Sequence, residues 1–160
     1  MKILRQIEEG VLVGLFLTAL ISLFFQIISR HLFVYALPWT EELARFCFLW
    51  IVFMGSAYCM RTGGHVAIDF FVIKLSKTKQ KYFAVLMHSL ILVFLVIVGW
   101  FGFALSFKVM DLPTIAMEIS SSWEYSAVPV SFTIMAVRTV FKIKEIIKFG
   151  VIERQAETLI

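Results

Sequence analysis

The chain reads as an all-α, polytopic membrane protein with four transmembrane helices, and three observations predict that class. Four apolar stretches fill most of its 160 residues, and about 20 apolar residues are enough to carry an α-helix across the hydrocarbon core. Hydrophobic residues make up 61% of the chain and charged ones 16%. That leaves too little polar surface to cover a soluble fold. The stretches are continuous and show no period-two alternation. In a medium without water each segment must satisfy its own backbone hydrogen bonds, so continuous runs select helices over a barrel. A single four-helix membrane domain over residues 1–160 is expected.

Span one covers about residues 10–29 and follows Lys2 and Arg5. It exceeds a signal-peptide core, and Ile28-Ser29-Arg30-His31 lacks small-residue cleavage character, so it reads as a retained anchor. Gln26 near its far end suits an interhelical hydrogen bond or a substrate contact. Residues 31–42 form an interfacial segment whose Tyr35 and Trp39 suit the headgroup level. Pro38 stops any helix entering from span one, and Glu41 and Glu42 complement the positive end of a new helix dipole. Span two, about 43–60, therefore starts beside them. Its Cys47 and Cys59 lie twelve positions apart, which fits neither a CxxC pair nor a disulfide framework. They read as buried, inert thiols.

Arg61-Thr-Gly-Gly-His65 turns the chain, and the apolar run 66–75, with Asp69 and Lys74, is too short to cross. It suits the inner interface or the flank of a partner. Span three runs about 82–107 and span four about 123–141, with Pro129 near the outer end of the latter. From Arg138 near the inner end of span four onward, Lys142, Lys144 and Lys148 interleave with apolar residues, as in a basic helix entering the inner headgroups. Arg138 is expected to snorkel there.

Orientation follows from the basic residues. Eleven of the fifteen Lys and Arg lie at the amino terminus, between spans two and three, or in the tail. Both termini are therefore expected to be cytoplasmic. The net charge of +4 reflects this asymmetry, so no nucleic-acid partner is implied. The span interiors carry almost no ionisable groups, and intramembrane charge is what marks a transport pathway. One copy of the chain offers no route for a solute. No nucleophile-base pair, metal-spaced cluster or phosphate loop is present, so neither an enzyme nor a cofactor is expected. A haem- or quinone-binding anchor of a redox complex is the alternative, because His65 and His88 lie toward the same side. His31 lies at the other end and reaches neither.

The densest polar constellation is Trp39, Glu41, Glu42 and Arg45, followed by Trp50, Gly55, Arg61, His65 and Asp69. Glu41 and Arg45 are four apart and can pair on one helix face. The set reads either as a local ion pair that anchors span two or as an interface with another subunit. Gly55 and Ser56 allow close approach of a second helix.

These motifs, together with Arg30-His-Leu-Phe closing span one and Trp123-Glu-Tyr-Ser-Ala-Val-Pro129 opening span four, resemble the small membrane subunit (Q, or DctQ-type) of tripartite ATP-independent periplasmic (TRAP) transporters. The resemblance covers essentially the whole chain, apart from the connection Lys108 to Ser122. It implies a multi-pass protein of the bacterial inner membrane that acts as a scaffold beside a large membrane subunit. It also implies a periplasmic substrate-binding protein as second partner, membrane lipids around the spans, and sodium symport of an organic acid such as a C4-dicarboxylate or sialic acid. The large subunit would hold the substrate and sodium sites. The Trp39 to Asp69 set becomes the candidate subunit interface.

Overall fold

The computed structural model describes residues 2–32, 37–61 and 77–149. Helix α1 spans Lys2–Leu32, α2 Pro38–Arg61, α3 Lys77–Lys108, α4 Ser122–Tyr125 and α5 Ala127–Phe149. Among the described residues, four segments are long and apolar enough to cross a membrane, α4 and α5 together making the last of them. Each helix reaches beyond the apolar stretch that announces it. Helix α1 starts eight residues before Gly10, so it includes Arg5, Glu8 and Glu9. The segment 66–75 lies outside the described residues.

Local chemistry explains the boundaries. Pro38 sits in the first turn of α2, where its missing N–H costs nothing. The buried Thr40 hydroxyl donates to the Leu37 carbonyl at 2.7 Å, closing that turn. The last span breaks at Ser126, three residues before Pro129. Proline at 129 cannot donate to the carbonyl one turn back, and the Ser126 hydroxyl instead donates to the Trp123 carbonyl at 2.8 Å. The result is a short piece, Ser122–Tyr125, followed by a long one, Ala127–Phe149.

The described helices pack as an open row. Helix α1 packs on α2, α2 on α5, and α5 on α3. Helix α5 is the hub, burying Ala127, Ser131, Phe132, Met135, Thr139 and Ile146, whereas α1 at the margin buries only Ser22 and Ser29 among its described side chains. The core lies where α2, α3 and α5 meet, built from Ala57, Leu95, Phe132 and Met135 with Phe53 and Ile91 packed against them. The Phe132 ring lies 5.9 Å from that of Phe53 and 6.3 Å from that of Phe94. Gly102 permits the close approach of α3 to α5, since a Cβ there would meet Val128 Cγ1 at 2.7 Å. Toward the chain termini the Lys81 ammonium donates to the Ile147 carbonyl at 2.6 Å, fixing the other end of the same pair. Outside this core, large apolar side chains such as Phe16, Phe24, Phe94, Trp100 and Phe141 are exposed, as expected of a chain whose solvent is lipid or another membrane subunit.

Candidate functional site

Two polar clasps, one near each end of the helices, hold them in place. The first lies toward the chain termini and joins α1, α2 and α5. Glu8 accepts from the Arg61 guanidinium at 3.0 Å and also from Arg138. Arg138 donates in addition to the Ala57 carbonyl. Beside them Glu9 accepts from the Tyr58 hydroxyl at 2.7 Å and from Arg5 Nε at 2.9 Å. Arg61 further lies over the Tyr58 ring, 5.5 Å from its centroid. The Glu8, Arg61 and Arg138 side chains are only 20%, 28% and 21% exposed. Charge-assisted bonds at such sites are roughly twice as strong as neutral ones. This clasp links α1 to α5 across α2.

Arg138 therefore does not snorkel to the headgroups as expected from its sequence position. Its guanidinium is taken up by Glu8 and by a backbone carbonyl. Glu8 and Glu9 escaped the sequence reading because they precede the apolar run. The available signal was the Arg5 to Glu9 spacing of four, which only a helix extending before Gly10 turns into a pair.

The second clasp lies at the opposite end. The Ser22 hydroxyl donates to the Thr40 carbonyl at 2.8 Å, joining α1 to α2. One turn on, the Gln26 amide approaches Glu41 at 3.4 Å, an interhelical contact. Arg45 Nε donates to Glu124 on α4 at 2.8 Å, so it does not pair with Glu41. Glu124 is nearly buried, and a buried carboxylate draws the cation that can reach it. The Trp50 indole donates to the Trp123 carbonyl at 3.2 Å, and Glu42 accepts the N–H groups of Ala116 and Met117 at 2.9 Å each. The contacts of Glu42, Arg45 and Trp50 join positions more than 70 residues apart, which no local pattern reports.

The candidate interface residues thus divide. Glu42, Trp50 and Arg61 are engaged inside the chain. Trp39 is 43% exposed, and Glu41 and Arg45 lie on an exposed stripe of α2 that continues through Phe48, Val52, Ser56 and Cys59. A Cβ at Gly55 beside that stripe would meet nothing within 4 Å. His65 and Asp69 lie outside the described residues. Of the thiols, Cys47 is buried as expected, whereas Cys59 is exposed. His88 turns its Nδ1 toward the Ala84 carbonyl of its own helix, 2.8 Å away, and His31 is exposed. Among the described residues, no three His, Cys, Asp or Glu side chains gather as metal ligands.

The family model for the DctQ component of tripartite ATP-independent periplasmic transporters matches residues 19–149. The chain is 31% identical over 147 residues to the sialic acid TRAP transporter small permease protein SiaQ of Vibrio cholerae, covering 92% of this chain and 85% of that protein. It is 30% identical over 139 residues to the sialic acid TRAP transporter permease protein SiaT of Haemophilus influenzae, where the match covers 86% of this chain but 22% of that longer protein. It is 30% identical over 104 residues to the C4-dicarboxylate TRAP transporter small permease protein DctQ of Rhodobacter capsulatus, covering 64% of this chain and 46% of that one. With four helices fit to span a membrane and a family match over most of its length, the chain belongs to the DctQ component of TRAP transporters, a small multi-pass permease subunit and not an enzyme.

Proposed function

We propose that this subunit braces a large membrane permease subunit in the bacterial inner membrane, with both of its own termini in the cytoplasm. The complex takes up an organic acid with sodium, and a soluble periplasmic protein delivers the substrate. The observation that carries this reading is the open row of helices. Several of its charged side chains pair with one another, as in Arg45 with Glu124 and Glu8 with Arg61 and Arg138, while its broad apolar sides stand exposed among the described residues. A chain built this way supplies a rigid wall to a larger partner. The match to 22% of SiaT supports the same association, since a DctQ-like stretch there belongs to one longer permease chain. The relatives named for sialic acid and C4-dicarboxylates support a carboxylate substrate.

Within the candidate interface, the α2 stripe through Glu41, Arg45, Phe48, Val52 and Ser56 faces the large subunit, with Gly55 letting its helix approach. Polar groups on a lipid-facing helix are costly, and a partner helix relieves that cost. The experiment is reconstitution. Proteoliposomes holding this chain alone should take up no substrate, whereas adding the large subunit, the binding protein and a sodium gradient should produce uptake. Accumulation by the isolated chain, or full uptake by the large subunit without it, refutes the bracing role.

A further inference from the structure

The last span of the chain, α4 with α5, is the least apolar of the four. Between Ser122 and Phe141 it carries two charges of opposite sign, Glu124 and Arg138. Each opposes the transfer of a helix from water into hydrocarbon, so a span that bears both enters readily only where neighbouring helices meet them. Helix α3 packs along α5 but has no Asp, Glu, Lys or Arg between Tyr82 and Phe107. It can meet neither charge.

Spans one and two meet both. Arg45 of α2 donates through Nε to Glu124 at 2.8 Å. Glu8 of α1 accepts from Arg138, whose guanidinium also donates to the Ala57 carbonyl of α2. The two charges lie fourteen residues apart in span four, and their partners stand at opposite ends of the α1–α2 pair, so one register satisfies both. Sliding α5 by one turn, about 5.4 Å, parts the two ion pairs together. Glu8 is held in addition by Arg61 at 3.0 Å, and Glu9 by Tyr58 at 2.7 Å. These contacts within the α1–α2 pair set the acids in place without span four.

Helices α1 and α2 are also made first, because synthesis runs from the amino terminus. We infer that the α1–α2 pair is a preset counter-charge receiver that draws span four into the membrane and fixes its register, Arg45 taking Glu124 and Glu8 taking Arg138. The inference rests on the proposed orientation, with the tail after α5 in the cytoplasm, and is independent of the bracing role.

Lys142, Lys144 and Lys148 also favour a cytoplasmic tail, so the test removes them. The full chain carries Lys142→Gln, Lys144→Gln and Lys148→Gln. It is fused at its end to a protein that fluoresces only in the cytoplasm or, in parallel, to a phosphatase active only outside it. This background should keep the fluorescence of the unaltered chain. Adding Glu8→Arg or Arg45→Glu should lower the ratio of fluorescence to phosphatase activity roughly tenfold, since one opposed charge is enough to turn a marginal span away. A second change should restore the ratio in each case. Glu124→Arg answers Arg45→Glu by reversing the pair, and Arg138→Leu answers Glu8→Arg by removing the charge to be met. Loss of fluorescence in the triple Gln background leaves the direction to the basic tail and overturns the receiver. So does a ratio that either reversal leaves unchanged, or a loss that its second change fails to repair. Phosphatase activity from the unaltered chain refutes the orientation instead, an outcome separate from these.

Discussion

Replacing Glu8 by Gln is the perturbation that most sharply tests the clasp between α1, α2 and α5. The carboxylate holds Arg61 and Arg138 at once. Gln keeps the shape and one accepting oxygen but leaves two guanidinium groups facing each other without their anion. Breaking a buried ion pair by removing one partner costs roughly 3–5 kcal/mol. Side-chain exposures of 20–28% place this cluster just short of full burial, and arginine can swing toward water near a membrane surface. The lower end applies, about 3 kcal/mol, or about a hundredfold in the folding equilibrium. Arg61→Gln should cost less, about 1 kcal/mol, because Glu8 and Arg138 remain as a balanced pair. Reversible unfolding in mixed micelles, followed by tryptophan fluorescence, measures both. A double-mutant cycle of Glu8→Gln with Arg138→Gln should return a coupling of at least about 1 kcal/mol. A loss below about 0.5 kcal/mol for Glu8→Gln, or equal losses for Glu8→Gln and Arg61→Gln, refutes the reasoning.

Arg45→Ala should destabilise the isolated chain by about 1–2 kcal/mol, since it strands the nearly buried Glu124 while its own half-exposed end is screened. Glu41→Ala should stay within about 0.5 kcal/mol in the same unfolding measurement; the reverse order restores the Glu41 to Arg45 pair. Gly102→Ala places a Cβ 2.7 Å from Val128 Cγ1, and overpacking of about 1–3 kcal/mol should exceed the roughly 1 kcal/mol gained in helix propensity. Gly55→Leu should leave the melting of the isolated chain unchanged, because the space there is open. It should, however, weaken co-purification with the large subunit. Cysteines placed at Lys79 and Arg154 should be protected from an impermeant reagent outside right-side-out vesicles, while those at Ala36 and Ser121 react; labelling at Lys79 from outside reverses the orientation.

Most of what is common to the family was legible in the chain itself. Length and continuity of the apolar runs determine four spans, because a bilayer admits helices of about 20 residues and little else. Pro38 and the acids after it marked where α2 begins, since both act within one helical turn. The motifs around Trp39 to Arg45 and Trp123 to Pro129 pointed to the family that the comparisons show.

What the tertiary structure alone decided is which charges meet. Arg45 had an acid four residues away on its own helix and takes Glu124 instead, because the packing of α4 against α2 brings a nearly buried carboxylate within 2.8 Å. Arg138 had a water-facing route and takes Glu8, which lies 130 residues earlier, because α1 extends below its apolar run and α2 holds it near α5. Glu42 looked like a helix-start acid and serves as the anchor of a turn more than 70 residues on. The open row was equally hidden, since apolarity says that a helix enters the membrane and not which neighbour it chooses. Lipid is as apolar as a leucine side chain, so the order of helices rests on close approach at positions such as Gly102 and on the few polar pairs between them. Those pairs are set by three-dimensional proximity, which spacing along one helix does not encode.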